Sequence, residues 1–441
     1  MKILYVNTSD TNGGAARAAV RIMQGVQQNG QECRMLVKHK LSDNDSVVSL
    51  QQYVPDNLLH NALDWCAQKV KNKYQHYLWH KYPNQDASYK SDLRATRIYG
   101  ALQAWDYDIL HLHWINQRFL PLEEVPRLHK PIVWTLHDSW PFCGVCHYFL
   151  DCEGYQQQCG NCPQLGSQDC HDLSYQVWRK KKCIYSRLDL HIVSPSRWLA
   201  DCARKSSLFS NCDIRVIPNC IDTNIFRPLS RVEMETNLIP AQKPNAAVSR
   251  IWRAGEKAAK PVILYGAVNA ATDRIKGFAS LLSALQILDT QGFKASLIVF
   301  GANETDLSLH FENIDVTFAG YISDTKTLVA LYNIADVMVV PSLTENLSCA
   351  IMESLSCGTP VCCFNIGGNG DMVEHQINGY LVVENDCTDM ANGIRECITH
   401  SVEWGTSARE SVLRKYTIDI VAKQHVELYD STRKYDSIVF L

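Results

Sequence analysis

The chain has no apolar run that approaches the ~20 residues a membrane-spanning helix requires. It has no surplus of positive charge either. Lys and Arg number 43 against 46 Asp and Glu, a formal net charge of −3. No global positive field therefore exists to hold nucleic acid or an acidic membrane. No repeat at solenoid period and no low-complexity tract occurs, which excludes a repeat array. The opening stretch MKILYVNTSD turns polar too soon for a secretory leader and reads as a first strand. A cytoplasmic setting is expected, with a weak membrane contact through a loop left open.

What is present is globular. Apolar residues make up 46% and charged residues 20% of the 441. That length exceeds one ordinary core and implies two or three domains. Eighteen cysteines are many for such a setting. Most stand singly in apolar segments, as Cys349, Cys357, Cys362 and Cys363 do, and read as small buried hydrophobes.

Strand-like and helix-like segments alternate. Ile3 to Val6, "ECRMLVKH", "DILHLHW", "PIVWTLH" and "LHIVSPS" are the strands of a first half. "PVILYGAV", "ASLIVFG", "DVMVVPS" and "PVCCFN" repeat the grammar in a second, with helices such as "GFASLLSALQIL" between them. Apolar strands separated by helices predict parallel sheets covered on both faces. The fold class is thus α/β, two doubly wound Rossmann-like units. The expected divisions are 1–225, a connection over 226–260 that is rich in Pro and charge, 261–415, and an amphipathic helix over 416–441 packing back across the junction. Open α/β sheets take ligands at the carboxyl ends of their strands, so two facing units predict a cleft lined by the residues just after them.

Those residues carry chemistry. Gly13 and Gly14 precede a helix start and offer bare amides to an anion, although a plain strand-to-helix turn has the same pattern. His137 stands at a strand end, suited either to a sugar hydroxyl or phosphate or to a satisfied core position. Arg274 and Lys276 lie just before a helix, where charge and dipole add toward a diphosphate; a solvated turn is the equal alternative. In "SLTENLSCAIMESLSCGTP", Glu345 falls in a loop, with Asn346 and Ser348 as candidate N-caps. Amides near Asn346, Leu347 and Ser348 then point into the cleft, and Glu353 lies within the helix that Gly358 and Pro360 end. Two carboxylates in an apolar, small-residue run need hydroxyl or cationic partners, which a polyhydroxylated ligand supplies. A separate cluster, Cys143, Cys146, Cys152, Cys159 and Cys162 with His147, contains two C-x2-C pairs. In a reducing setting that spacing reads as a structural zinc site, with free thiols or a disulfide as the alternatives.

The stretch "TENLSCAIMESLSCGTPVCCFNIGGNGDMVEH" resembles the C-terminal signature of retaining, nucleotide-sugar-dependent glycosyltransferases of the GT-B fold, family 4. Glu345, Glu353, Gly358, Pro360, Gly367, Gly368 and Glu374 carry it, and "GGAARAA", "VSPSRWL", "VIPNCIDTNIF" and "KGF" match in order. "TLHDSWPFCGVCHYFLDC" is similar to a subgroup that builds bacterial surface polysaccharides such as colanic acid. The resemblance implies a UDP- or GDP-linked sugar donor, a glycan or lipid-linked glycan acceptor, and work at the inner face of the cytoplasmic membrane. It implies that Gly14 lies near the donor diphosphate, that His137 faces the transferred sugar, and that Arg274 and Lys276 neutralise the leaving group. Glu345 would contact the donor sugar, Asn346 and Leu347 would present amides, and Glu353 would hold the ribose. No catalytic metal is implied, and Asp106 to Asp108, a D-x-D triplet, read as a strand-start turn. The zinc ligands favoured by the subgroup are Cys146, Cys152, Cys159 and Cys162, since position 143 often lacks cysteine there. One departure stands out: Gly266-Ala267 replaces a common Gly-Arg. A nucleotide-sugar epimerase of the same fold and an inactive nucleotide-sugar-binding module are the competing expectations.

Overall fold

The computed structural model of the chain describes residues 1–53, 80–84, 98–117, 119–230, 232–234, 260–267, 273–302 and 310–439. The chain divides into two compact units, Met1–Pro218 with Val421–Leu441, and Asn219–Ile420. Most of the connection expected over 226–260 lies outside the described residues.

In the first unit the described strands are β1 (Lys2–Ser9), β2 (Glu32–His39), β3 (Val47–Ser49), β4 (Ile109–Leu112), β5 (Ile132–Thr135), β6 (Leu190–Ser194) and β7 (Asp213–Val216). They pair in parallel in the order β3-β2-β1-β4-β5-β6-β7. The order reverses between β1 and β4, the place where doubly wound sheets open a crevice. β4 and β5 are buried along their whole length, as a central parallel strand must be when helices cover both faces. The D-x-D triplet is a strand-start clamp: the Lys2 amide donates to the Asp108 carboxylate at 2.9 Å, and the Lys2 ammonium lies 3.3 Å from Asp106. The helix Gly14–Gln28 buries Ala16, Ala19, Ile22, Met23 and Val26, the spacing of one helical face.

In the second unit, β8 (Val262–Gly266), β9 (Ala295–Phe300), β10 (Ile314–Gly320), β11 (Val337–Val340), β12 (Val361–Phe364) and β13 (Gly379–Val382) pair in parallel as β10-β9-β8-β11-β12-β13. The reversal falls between β8 and β11. The expectation of two doubly wound parallel units is met. Each sheet is the wall of a buried aliphatic and aromatic cluster.

Some helices are capped by side chains: Asp172, Ser196, Asp324 and Asp386 each accept from the first-turn amides. The three helices that follow β1, β8 and β11, starting at Gly14, Phe278 and Cys349, have no side-chain cap. Their N-terminal amides are held by no such acceptor, and they sit at the two points of strand-order reversal.

Arg409 locks the second unit together. Its guanidinium donates to the carbonyls of Phe226 at 2.8 Å, Ser356 at 2.9 Å and Thr223 at 2.9 Å, and to the Ser356 hydroxyl at 3.0 Å. Arg409→Met keeps the stem but takes the donor from the Thr223 and Ser356 carbonyls, at about 1–3 kcal/mol for each group left unsatisfied, while the Phe226 carbonyl keeps its bond from the Ser356 hydroxyl at 2.6 Å. We expect the second unit to lose about 2–4 kcal/mol, read as a lower urea midpoint with an unchanged slope.

Candidate functional site

In the second unit the loops after β8 and β11 come together at the reversal point. The Asp273 carboxylate accepts from the Ile275 amide at 3.0 Å and shapes the short turn Arg274–Lys276. The Leu343 amide donates to the Ile275 carbonyl at 2.8 Å and ties the second loop to that turn. Gly277 has φ +68°, and a Cβ there would run into the Pro341 carbonyl, so glycine is what permits the close approach. The result is an ion pair, Lys276 Nζ to Glu345 Oε2 at 3.3 Å, with the side chains 27% and 17% exposed. The Gly368 amide donates to the Glu345 carbonyl at 3.3 Å, which brings the Gly367-Gly368 turn against the same residue. Segments 274–277, 341–348 and 366–368, far apart in sequence, thus form one structure.

The other expected residues surround it unevenly. Arg274 is exposed and has no side-chain partner among the described residues. Ser348, rather than Asn346, holds the cap position of the helix Cys349–Ser356, and its hydroxyl makes no cap bond. Leu347 and Ser348 are buried and Asn346 is half-buried. Glu353 is 2% exposed, and its carboxylate accepts from the Tyr332 hydroxyl at 3.2 Å. Glu353 therefore has a buried hydroxyl partner, whereas Glu345 is half-buried and pairs with Lys276. Ala267 is half-buried against the core, and residues 268–272 lie outside the described residues.

In the first unit Gly13, with φ +89°, precedes the helix that begins at Gly14; nothing lies near a Cβ there, so backbone conformation alone calls for glycine. His137 follows β5. Its Nε2 lies 2.9 Å from His113 Nδ1, one ring donating to the other. His111 lies on β4 and His113 follows directly after its end, with the two ring centroids 4.3 Å apart. His111 Nδ1 is 2.7 Å from the Tyr429 hydroxyl, which in turn is 2.9 Å from the Tyr5 hydroxyl. His111 Nε2 is 2.8 Å from the Thr135 hydroxyl. His425 lies near His111, with ring centroids 5.5 Å apart and tilted by 41°, and its two ring nitrogens have no hydrogen-bond partner among the described residues.

Burial pushes the His137 imidazole down to about 4 against the opposing charge of Asp138. It pushes His425 down to about 3, and His111 and His113 well below the ordinary histidine range. All four are neutral rings near pH 7. Asp138 organises the next loop. Its carboxylate pairs with His147 Nδ1 at 2.7 Å and accepts from the Trp114 indole at 2.9 Å and the Trp140 amide at 2.9 Å. Burial raises the Asp138 carboxyl, but these partners outweigh it and hold it below its usual range. Of the four neutral histidines the sequence reading singled out only His137. The signal available was the histidine pair at i, i+2 in an otherwise apolar buried segment.

The cysteine loop follows directly. Cys143, Cys146, Cys152, Cys159 and Cys162 line one cavity of ≈ 20 Å³. Cys143, Cys146, Cys159 and Cys162 are buried and Cys152 is half-buried. None of the cysteines among the described residues is in a disulfide. No three of the five sulfurs lie within 4.8 Å of one another; among the described residues that spacing is reached by Asp169, Cys170 and His171, all exposed. Burial raises the Cys159 and Cys162 thiols to about 12 and about 11.

Two family signatures match the chain: "Glycosyltransferase Family 4" over residues 12–225 and "Glycosyl transferases group 1" over residues 250–411. A protein of Escherichia coli K12 named as a colanic acid biosynthesis glycosyl transferase, WcaC, is 27% identical over 370 residues, 82% of each chain. Among solved structures, sucrose-phosphate synthase of Thermosynechococcus elongatus superposes with TM-score 0.64 at 18% identity, covering 98% of both chains. HepE of Anabaena, solved in complex with UDP and glucose, superposes with TM-score 0.62 at 17% identity, covering 98% of this chain and 100% of that one. At those identities the structures establish the fold.

Proposed function

Because the chain belongs to the family 4-like glycosyltransferases of the GT-B fold, we propose that it moves a hexose from a nucleotide-sugar donor to a glycan or lipid-linked glycan with retention of anomeric configuration. The observation that carries this reading is the Lys276–Glu345 pair, set at the strand-order reversal of the second sheet beside an uncapped helix start. A donor diphosphate displaces the carboxylate from the ammonium. Lys276, joined by the exposed Arg274, then faces the oxygens on which charge collects as the anomeric C–O bond breaks. Freed Glu345 accepts from hydroxyls of the donor sugar, and the amides of Asn346, Leu347 and Ser348 add fixed dipoles. Glu353 holds the ribose hydroxyls by exchanging its bond from Tyr332. In the first unit Gly13 and Gly14 offer bare amides to an anion. His137, neutral at pH 7, suits a sugar hydroxyl rather than a phosphate.

The likeness to WcaC supports a role in surface polysaccharide assembly at the cytoplasmic face of a membrane. Among the described residues no helix is long and apolar enough to cross one. The test is thermal melting of the full chain with UDP- and GDP-linked sugars, followed by NMR of the product anomer. A donor at a hundred times its Kd raises stability by about 2.7 kcal/mol. The reading predicts a clear upward shift with one nucleotide class and a product with the donor's configuration. Failure of every nucleotide sugar to shift the melt, or an inverted product, overturns it.

A further inference from the structure

We propose that the first unit binds one Zn²⁺ through Cys146, Cys152, Cys159 and Cys162, and that this ion is the core of the loop between β5 and the helix Leu173–Tyr185. The loop cannot hold itself by regular structure. From Cys143 to Asp172 it contains only two three-residue turns, Gly154–Gln156 and Pro163–Leu165. Its interior is instead a cavity of ≈ 20 Å³ walled by five cysteines. That volume suits a single water-sized occupant and nothing as large as a sugar.

Two further contacts favour a metal over free thiols. First, the Lys181 ammonium is 1% exposed and makes no ion pair among the described residues. It donates to the carbonyls of Cys143 at 2.9 Å and Gly144 at 3.0 Å, and to that of Trp140, over whose ring it lies at 3.7 Å. A buried cation without an anion is costly. Four thiolates around Zn²⁺ carry a net charge of −2 and supply the missing anion beside it. Second, the Gly144 amide points at the Cys159 sulfur at 3.2 Å, the amide-to-sulfur bond that supports a metal-bound thiolate.

Five thiols face four tetrahedral positions. Cys143, fully buried, is the one left outside the ligand set. Cys152, half-buried, lies at the solvent side, where an ion enters. Binding replaces four S–H protons, released to solvent, by four Zn–S bonds. Tetrahedral Zn–S bonds of about 2.3 Å hold the sulfurs ~3.8 Å apart, so the ring of thiols contracts on the ion by side-chain rotation.

The test is elemental analysis of the full chain purified without chelator, then exchange of the native metal for Co²⁺. The proposal predicts one zinc per chain and, with cobalt, the thiolate charge-transfer band and intense visible band of a tetrahedral sulfur site. Cys146→Ser is expected to lose the stoichiometric metal, whereas Cys143→Ser and the exposed control Cys183→Ser keep it. If Cys146→Ser does not fold, the cobalt spectrum of the unaltered chain still decides. Absence of both zinc and the cobalt bands overturns the site. Loss of metal in Cys143→Ser with retention in Cys152→Ser overturns the ligand set.

Discussion

Lys276→Ala is expected to lower kcat/KM for sugar transfer by about 10²–10³-fold, the usual cost of deleting one fixed donor from a site where negative charge develops. The melting of the protein should barely move. The Lys276–Glu345 pair is partly exposed, and such pairs contribute about 0–1 kcal/mol to folding. Glu345→Gln separates the two roles of the pair. It removes the competing carboxylate from Lys276 while keeping a hydrogen-bonding group toward the sugar, so diphosphate affinity should rise as turnover falls. In the double variant the two losses should not add, because each residue acts on a ligand that the other positions. Lys276→Ala with unchanged kcat/KM would remove the basis of the proposed chemistry.

The second large effect is acid lability of the first unit. Burial keeps His111, His113 and His425 neutral in the folded chain, with His137 pushed down to about 4 and His425 to about 3. In the unfolded chain each protonates near pH 6.5. Below that pH the unfolded state binds protons that the folded state refuses, so stability falls as pH drops from about 6.5 toward 4. Each ring contributes a slope of up to about 1.4 kcal/mol per pH unit. His191 works in the opposite sense. Burial lowers it, but Asp189 and Asp213 outweigh burial and raise it, so its contribution is full below its unfolded pKa and is lost as pH rises through its folded one. One ring against four leaves the net slope positive with pH. His425→Phe should flatten the profile at little cost near pH 7, since the ring nitrogens of His425 have no partner among the described residues to lose. Urea midpoints between about pH 7 and pH 5 measure both slopes. Equal acid sensitivity in wild type and variant would contradict the assignment.

The sheets were readable because their central strands are uninterrupted apolar runs: β1, β4, β5, β8, β11 and β12 all stood out. The strands that escaped notice lie at edges or carry polar residues. β7 is Asp-Ile-Arg-Val with no fully buried position, and β10 begins Ile-Asp-Val-Thr. Both alternate apolar and polar residues, the pattern of a half-buried strand, but neither is the uninterrupted apolar run by which the central strands were read. The cationic and acidic residues of the second unit were legible as motifs, but not the fact that Lys276 meets Glu345, which depends on two loops held together through Gly277 and Pro341. Glu353 was legible as a carboxylate inside the helix, but its bond from Tyr332, a partner 21 residues away on another helix, was not. The histidine network was illegible for a plainer reason. The partner of His111 is Tyr429, 318 positions along the chain, and no local pattern points that far.

That distance constrains how the protein is made. The Tyr5–His111 face leaves the ribosome long before Tyr429, which bonds it from 318 residues beyond His111. Until then the nascent first lobe exposes a sheet face whose histidines and tyrosine await their partner. The lobe whose strands emerge first is therefore completed last, after the second has had the whole of its own sequence in which to fold.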